Sequence, residues 1–315
     1  MKKLLILILF PILGFNPEIL HAFGRRFVGT TSAQFLKLGV NARAIAMGEA
    51  YSAVSDGSDS IYWNPAGLDK VEKHSLSLMH AVYLQEIFYD FASYAKRFGK
   101  IGTLGLGIQY LNAGSIDQTD EFGTNVGTFQ PSHTALSIGW AMKLLEMEFL
   151  EEKNEFSLGV SAKLIQSRII ETAYAGALDL GILWSPVEKC WVGIAAQNIG
   201  PSFKFKNELD HLPLNFKIGS SYQVSDPFIL ALDINFPRDN DPNMGLGIEY
   251  KKKITQDFSM AGRTGFNSRN TPDISGLSSI SAGVGFNLKN NEIDFAWVPF
   301  GDLGHTYRVS YSKKF

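Results

Sequence analysis

The chain has 315 residues, a net charge of −2 and 45% hydrophobic residues, which is enough apolar material for a large core and too little net charge for a disordered chain. The charge balance argues against nucleic acid as a partner, and a single cysteine, Cys190, excludes an internal disulfide framework. Charged residues make up 19%, below the roughly 25% of soluble domains, while 23 Phe, 11 Tyr and 30 Gly point to an aromatic, glycine-rich β protein.

Residues 1–22 read as a secretory signal peptide: Lys2 and Lys3 supply a basic start, Leu4 to Leu13 an apolar run, and Leu20-His21-Ala22 a cleavage site. The run is shorter than the ~20 residues of a spanning helix, so cleavage rather than anchoring is expected. No cysteine lies near that site to carry a lipid. No later segment reaches spanning-helix length, so a membrane-embedded form has to be a barrel.

Residues 23–72 form a separate hatch or plug. Within it Gly39 to Ala50 and Ser60 to Leu68 are rich in Ala and Gly and lack period-two alternation. Asn64 followed by Pro65 supplies the residue types favoured at a helix N-cap and first turn. A compact, partly helical element therefore precedes residues 73–315, which read almost entirely as strand.

From Ser75 onward, alternation recurs in segments of about ten residues, the length of a tilted membrane strand. Leu104, Leu106, Ile108 and Tyr110 alternate with Thr103, Gly105, Gly107 and Gln109; Phe156, Leu158, Val160, Ala162 and Leu164 alternate with Ser157, Gly159, Ser161 and Lys163. One face is apolar and the other small or polar, as a lumen requires. The segments are 75–83, 86–98, 101–112, 133–146, 155–168, 173–185, 189–198, 213–223, 227–236, 244–252, 257–266, 278–288, 291–298 and 305–315. This is an all-β chain, an antiparallel transmembrane β-barrel of about fourteen strands with an N-terminal partly helical plug. Short links at Gly99, Val187, Ser225, Thr255 and Asn290, and a longer acidic one at Glu151 to Asn154, oppose long links at 113–132, 199–212, 237–243 and 267–277. Barrels with short periplasmic turns and long external loops alternate in this way. The hairpin at Leu84-Gln85 is short on the external side.

The last segment carries Tyr307, Val309, Tyr311 and Phe315 in alternation up to a terminal aromatic residue. That ending resembles the signal read by the barrel assembly machinery of outer membranes, with Lys313 where a further apolar residue is expected.

With these features the chain resembles the FadL-like superfamily of outer-membrane barrels, whose members place a hatch with an Asn-Pro-Ala motif before fourteen strands; here the motif is Asn64-Pro65-Ala66. It is most similar to the PorV/PorQ branch through Leu38 to Gly48, Tyr62 to Leu68, Gln197 to Pro201 and Val298 to Arg308. The resemblance implies an outer-membrane location in a Gram-negative-type bacterium and one of two functions. The first is an accessory or shuttle component of type IX-like protein secretion, with a secretion translocon and cargo domains as partners. The alternative is uptake of small hydrophobic compounds such as fatty acids. Outer-membrane lipid is a partner in both. Glu49 stands where Gly is expected after Met47-Gly48, and Tyr307 where His is common.

Arg43, Glu49, Trp63, Asn64, Pro65, Ala66 and Gly67 are the hatch candidates: a gate that moves, or a cap that fixes a short helix in the lumen. Capping alone contributes about 0.5–2 kcal/mol and accounts for Asn64 without transport. On the inward face, Lys163 with Asp179, Lys217 with Asp233, Glu249 with Arg263, and Asp294 with Arg308 lie on successive strands with opposite sign, and such neighbours stabilise by roughly 0.2–1 kcal/mol. They form a charged path or a polar network filling the lumen; the cations are the available anchors for a fatty-acid carboxylate. The scattered His21, His74, His80, His133, His211 and His305 form no Ser/His/acid constellation, so no enzyme is expected. No Cys/His cluster has zinc-ligand spacing. Asp56, Asp59, Asp117, Asp120 and Glu121 lack calcium-loop spacing and read as solvated loop charges. No cofactor is expected. Tyr83, Phe88, Tyr89, Phe91, Tyr94, Phe98, Trp140, Trp184, Trp191, Trp297 and Phe300 read as interfacial girdles.

Overall fold

In the computed structural model, residues 24, 27–83, 87–149, 152–205, 208–270 and 277–315 are described. The signal segment 1–22 and the Leu84-Gln85 turn lie outside them. Fourteen strands close an antiparallel barrel in which every strand pairs with its neighbour along the chain and the last pairs with the first. They are β1 (His74–Val82), β2 (Phe88–Arg97), β3 (Thr103–Asn112), β6 (Ser132–Phe149), β7 (Glu152–Arg168), β8 (Thr172–Val187), β9 (Cys190–Ile199), β12 (Asn215–Ser225), β13 (Phe228–Pro237), β14 (Asn243–Lys253), β15 (Phe258–Asn267), β16 (Ile280–Leu288), β17 (Asn291–Pro299) and β18 (His305–Lys314). Closure places Met79 opposite Ser310 and leaves no open sheet edge, which a hydrocarbon environment requires.

Two long links carry hairpins that the alternation did not reveal. In 113–132, β4 (Ile116–Thr119) pairs with β5 (Asn125–Phe129), and in 199–212, β10 (Phe203–Phe205) pairs with β11 (Glu208–Asp210). Asp120 builds the first turn, its Oδ1 accepting from the backbone of Phe122 at 2.9 Å and Thr124 at 2.8 Å. At the other end of the barrel the expected acidic link is shorter than read, because β6 runs on to Phe149 and β7 starts at Glu152.

The period of two sorts the side chains. Leu104, Leu106, Leu136, Ile138, Leu164, Leu178, Leu180, Leu246 and Ile248 face outward and are exposed. No helix among the described residues is long and apolar enough to cross a membrane; the strands carry this apolar belt instead. Tyr307, Val309 and Phe315 lie on the same outer face. Four girdle expectations are corrected: Tyr89 and Phe91 are buried and face the plug, with the Tyr89 hydroxyl donating to the Leu38 carbonyl at 3.0 Å, Tyr83 packs on the plug core and accepts from Arg308, and Trp191 meets Lys70 of the plug.

The core lies inside the barrel. A 3-10 turn at Gln34–Lys37, α1 (Ala42–Ala46), α2 (Ser60–Trp63) and a second 3-10 turn at Pro65–Lys70 fill the lumen. Trp63, Tyr51, Met47, Ile61 and Leu68 are fully buried against the wall. Both helices are short for a reason visible in sequence. Asn41, which caps α1 by accepting from Arg43 N, sits at φ 67°, and Gly48 and Glu49 end the helix at φ 65° and 63°. Left-handed backbone at both ends turns the chain within the lumen. The expected Gly after Gly48 would hold that conformation without strain; Glu49 holds it through an ion pair described below.

Candidate functional site: the plug and its seat in the wall

Asn64 caps the turn after α2. Its Oδ1 accepts from Ala66 N at 3.2 Å, and its amide donates to the Ser52 carbonyl and to the Ile182 carbonyl of β8, both at 2.9 Å. One side chain thus joins the cap, the preceding plug loop and the wall. Trp63 donates to the Val40 carbonyl at 3.1 Å and stacks edge-on with Tyr62 and Tyr51. Pro65, Ala66 and Gly67 are buried. Pro65 and Ala66 press on β7 so closely that a Cβ on Gly159 would lie 2.3 Å from their backbone. Gly265 of β15 is equally necessary, since its Cβ would lie 2.0 Å from the Gly48 nitrogen. The glycine-rich inner face is therefore the imprint of the plug backbone, as close approach demands.

Ionic contacts bind the two parts. Arg43 grips Glu249 of β14 through Nε and Nη2, each at 2.8 Å, and reaches Asp56 at 3.2 Å. Glu249 also takes Arg263 at 2.6 Å, and Lys314 of β18 reaches Asp56 at 3.0 Å. Glu49 accepts from Arg269 through both oxygens at 3.0 and 3.1 Å. Asp69 accepts from Ser157 at 2.8 Å.

The wall charges pair differently from a simple neighbour rule. Lys163 meets Asp179 at 2.7 Å and also donates to Asn198 at 2.8 Å, and Asp179 accepts from Asn198 N at 2.7 Å where the β8–β9 ladder shifts register. Glu249 and Arg263 are directly opposite in register and paired. Asp294 and Arg308 do not pair. Arg263 reaches across Gly285 of the intervening β16, which has no side chain in the way, and bonds Asp294. Arg308 donates instead to the Tyr83 hydroxyl at 2.7 Å. Lys217 and Asp233 are not within ion-pair distance either. Asp233 accepts from the backbone of Ser52 at 3.0 Å and Tyr51 at 3.3 Å, while the Lys217 ammonium lies 4.6 Å over the Trp63 ring.

Asp56 and Asp59 are plug residues, not solvated loop charges. Burial pushes the Asp56 carboxyl up, but Lys314 and Arg43 more than offset this and hold it below the usual carboxylate range. Burial and the Asp56 charge push Asp59 up to about 6, while Asn41 donates to it at 2.8 Å. Burial lowers Lys70 to about 8, against the pull of Asp56, and its ammonium sits 3.8 Å over the Trp191 ring. Asp117, Asp120 and Glu121 are exposed as expected. Among the described residues no group of three or more His, Cys, Asp or Glu side chains is placed to hold a metal ion.

The plug divides the lumen. At the short-turn end a cleft of about 780 Å³ is bounded by Arg43, Asp56, Glu249, Lys251 and Lys314. At the long-loop end a polar chamber of about 50 Å³ is bounded by Tyr62, Gln197, Asn215, Lys217 and Asn235. The two share no lining residue.

Solved structures of similar fold include the Ralstonia pickettii toluene transporter TbuX, 14% identical over 88% of this chain and 98% of that chain with a TM-score of 0.56. The Pseudomonas putida toluene transporter TodX is 13% identical over 88% and 98% with a TM-score of 0.57. A Pseudomonas aeruginosa FadL homologue is 10% identical over 91% and 98% with a TM-score of 0.52. At such identities the likeness shows the fold, a FadL-like barrel. No curated protein matches the chain. A family model described as "Type IX secretion system protein PorV" matches residues 22–238, most of the chain, and the chain belongs to that family of outer-membrane β-barrels.

Proposed function

We propose that the protein is an accessory or shuttle component of type IX-like protein secretion at the outer membrane, working through its surfaces and loops with a translocon and cargo domains. The observation that carries this is the seating of the plug. Its backbone lies against wall glycines that leave no room for a side chain, and Asn64, Arg43 and Glu49 anchor it to β8, β14 and the segment after β15. Opening a path would break several buried polar contacts at once, each costing about 1–3 kcal/mol when a partner is left orphaned. The β1–β2, β2–β3 and β3–β6 ladders run without a register shift, so this part of the wall offers no lateral gap to a hydrophobic molecule leaving the lumen.

The test is deletion of the gene with quantitative proteomics of the medium and cell surface, alongside uptake of a labelled fatty acid and toluene. The expected result is loss of a set of secreted proteins, restored by the wild-type gene, with uptake unchanged. Unchanged secretion together with lost uptake would establish the hydrophobic-compound channel instead.

A further inference from the structure

The polar chamber at the long-loop end is lined by a cation that no carboxylate contacts directly. Lys217 is 5% exposed and lines the chamber, and among the described residues its ammonium has neither a hydrogen-bond acceptor nor a carboxylate within ion-pair distance. Its close contact is the face of Trp63. The neighbouring charges are otherwise engaged: Lys37 with Asp239 at 2.9 Å, and Arg269 with Glu49 at 3.0 Å. Asp233, on the adjacent strand, directs one oxygen at the plug backbone of Tyr51 and Ser52. An unpaired buried ammonium is costly, and a cation–π contact offsets only part of that cost. A negative ligand group entering the chamber would supply the contact that this side chain lacks.

Two further atoms define what else the ligand carries. The side-chain oxygens of Asn215 and Asn235 are buried and have no donor, while their amide groups are turned to Gln197 at 3.4 Å and Asn243 at 3.2 Å. The chamber is thus lined by this cation, with two unsatisfied acceptors enclosed in its wall. Its volume of about 50 Å³ equals roughly three to four water-sized sites, the size of a carboxylate with its adjoining donor. It is reached past Lys37 and Arg269, whose side chains are 27% and 35% exposed.

We propose that Lys217, Asn215 and Asn235 form a binding site at the long-loop end of the barrel for a singly charged carboxylate with a neighbouring N–H or O–H donor. Both the free C-terminal end of a peptide and a small 2-hydroxy acid have this chemistry. The inference goes beyond the secretion role and does not depend on it, since binding is read on purified protein and secretion on cells.

Calorimetric titration of the detergent-purified full chain with tri-alanine, tri-alanine amide, lactate and lactamide tests the site. At least one acid should bind, at least about tenfold more tightly than its amide. Tri-alanine binding alone identifies the chain end as the source, and lactate binding alone the hydroxy acid. Lys217→Met should weaken binding about tenfold or more, and Lys217→Arg by about threefold or less. Asn235→Ala, which keeps the ammonium, should weaken it about threefold and serves if Lys217→Met does not fold. Absence of binding by both acids, equal affinity for acids and amides, or binding unchanged in the folded variants would overturn the proposal.

Discussion

Asn64 makes more contacts than a cap requires, and its replacements separate the roles. Asn64→Ala loses the cap and both donated bonds to Ser52 and Ile182. A cap is worth about 0.5–2 kcal/mol and an orphaned buried group about 1–3 kcal/mol, so a loss of about 2–4 kcal/mol is expected in urea or heat-modifiability titrations. Asn64→Asp keeps the capping oxygen but turns a buried carboxylate oxygen onto the Ser52 and Ile182 carbonyls, and should lose at least as much. Asp59 gives a pH signature. Its folded pKa of about 6 lies above the ordinary 3.8, so its contribution to stability is fully present below pH 3.8 and is lost as pH rises through 6. Asp59→Asn should therefore stabilise the protein by up to about 3 kcal/mol at pH 7.5 and by almost nothing near pH 4. Equal stabilisation at both values would contradict the buried, proton-holding carboxyl. Of the residue-scale features, the cap was legible because Asn-Pro has a local meaning. The wall contacts of Asn64, and the arm of Arg263 passing over Gly285 to Asp294, were not, because they depend on which side chains are missing between them.

At the scale of elements, the plug's backbone and the wall's glycines fix each other. Gly159→Val places a side chain where Pro65 and Ala66 lie, and should prevent assembly or leave a protease-sensitive plug. Gly262→Val, on the outer face with open space around it, should assemble normally and serves as the control. The Arg43–Glu249 clasp between α1 and β14 offers a second probe. Glu249→Gln leaves Arg43 and Arg263 short of their shared carboxylate, and a loss of about 3–5 kcal/mol is expected by thermal unfolding. The strands themselves were readable from period-two alternation, including their number. The hairpins β4–β5 and β10–β11 were not, since their residues are exposed or short and carry no burial period. Aromatic content misled at Tyr89 and Phe91, because a residue next to a strand end faces lipid or plug according to its parity, not its type.

For the whole molecule, an apolar outer belt, an ion-paired inner face and a closed ladder describe a barrel that is solid through its middle. Leu106→Lys, near the centre of β3 on the outer face, should cost about 2–4 kcal/mol when folding is measured into bilayers. The decisive property of the molecule is whether the plug is a permanent part of that solid. Hydrogen exchange of the protein in lipid, followed by mass spectrometry, reads this directly on residues 41–47 and 60–68. Their amides should exchange as slowly as those of the barrel strands, because they are buried and tied to the wall. Exchange of these segments many times faster than the strands, while the barrel stays folded, would mean that the plug leaves its seat and that the lumen is a path.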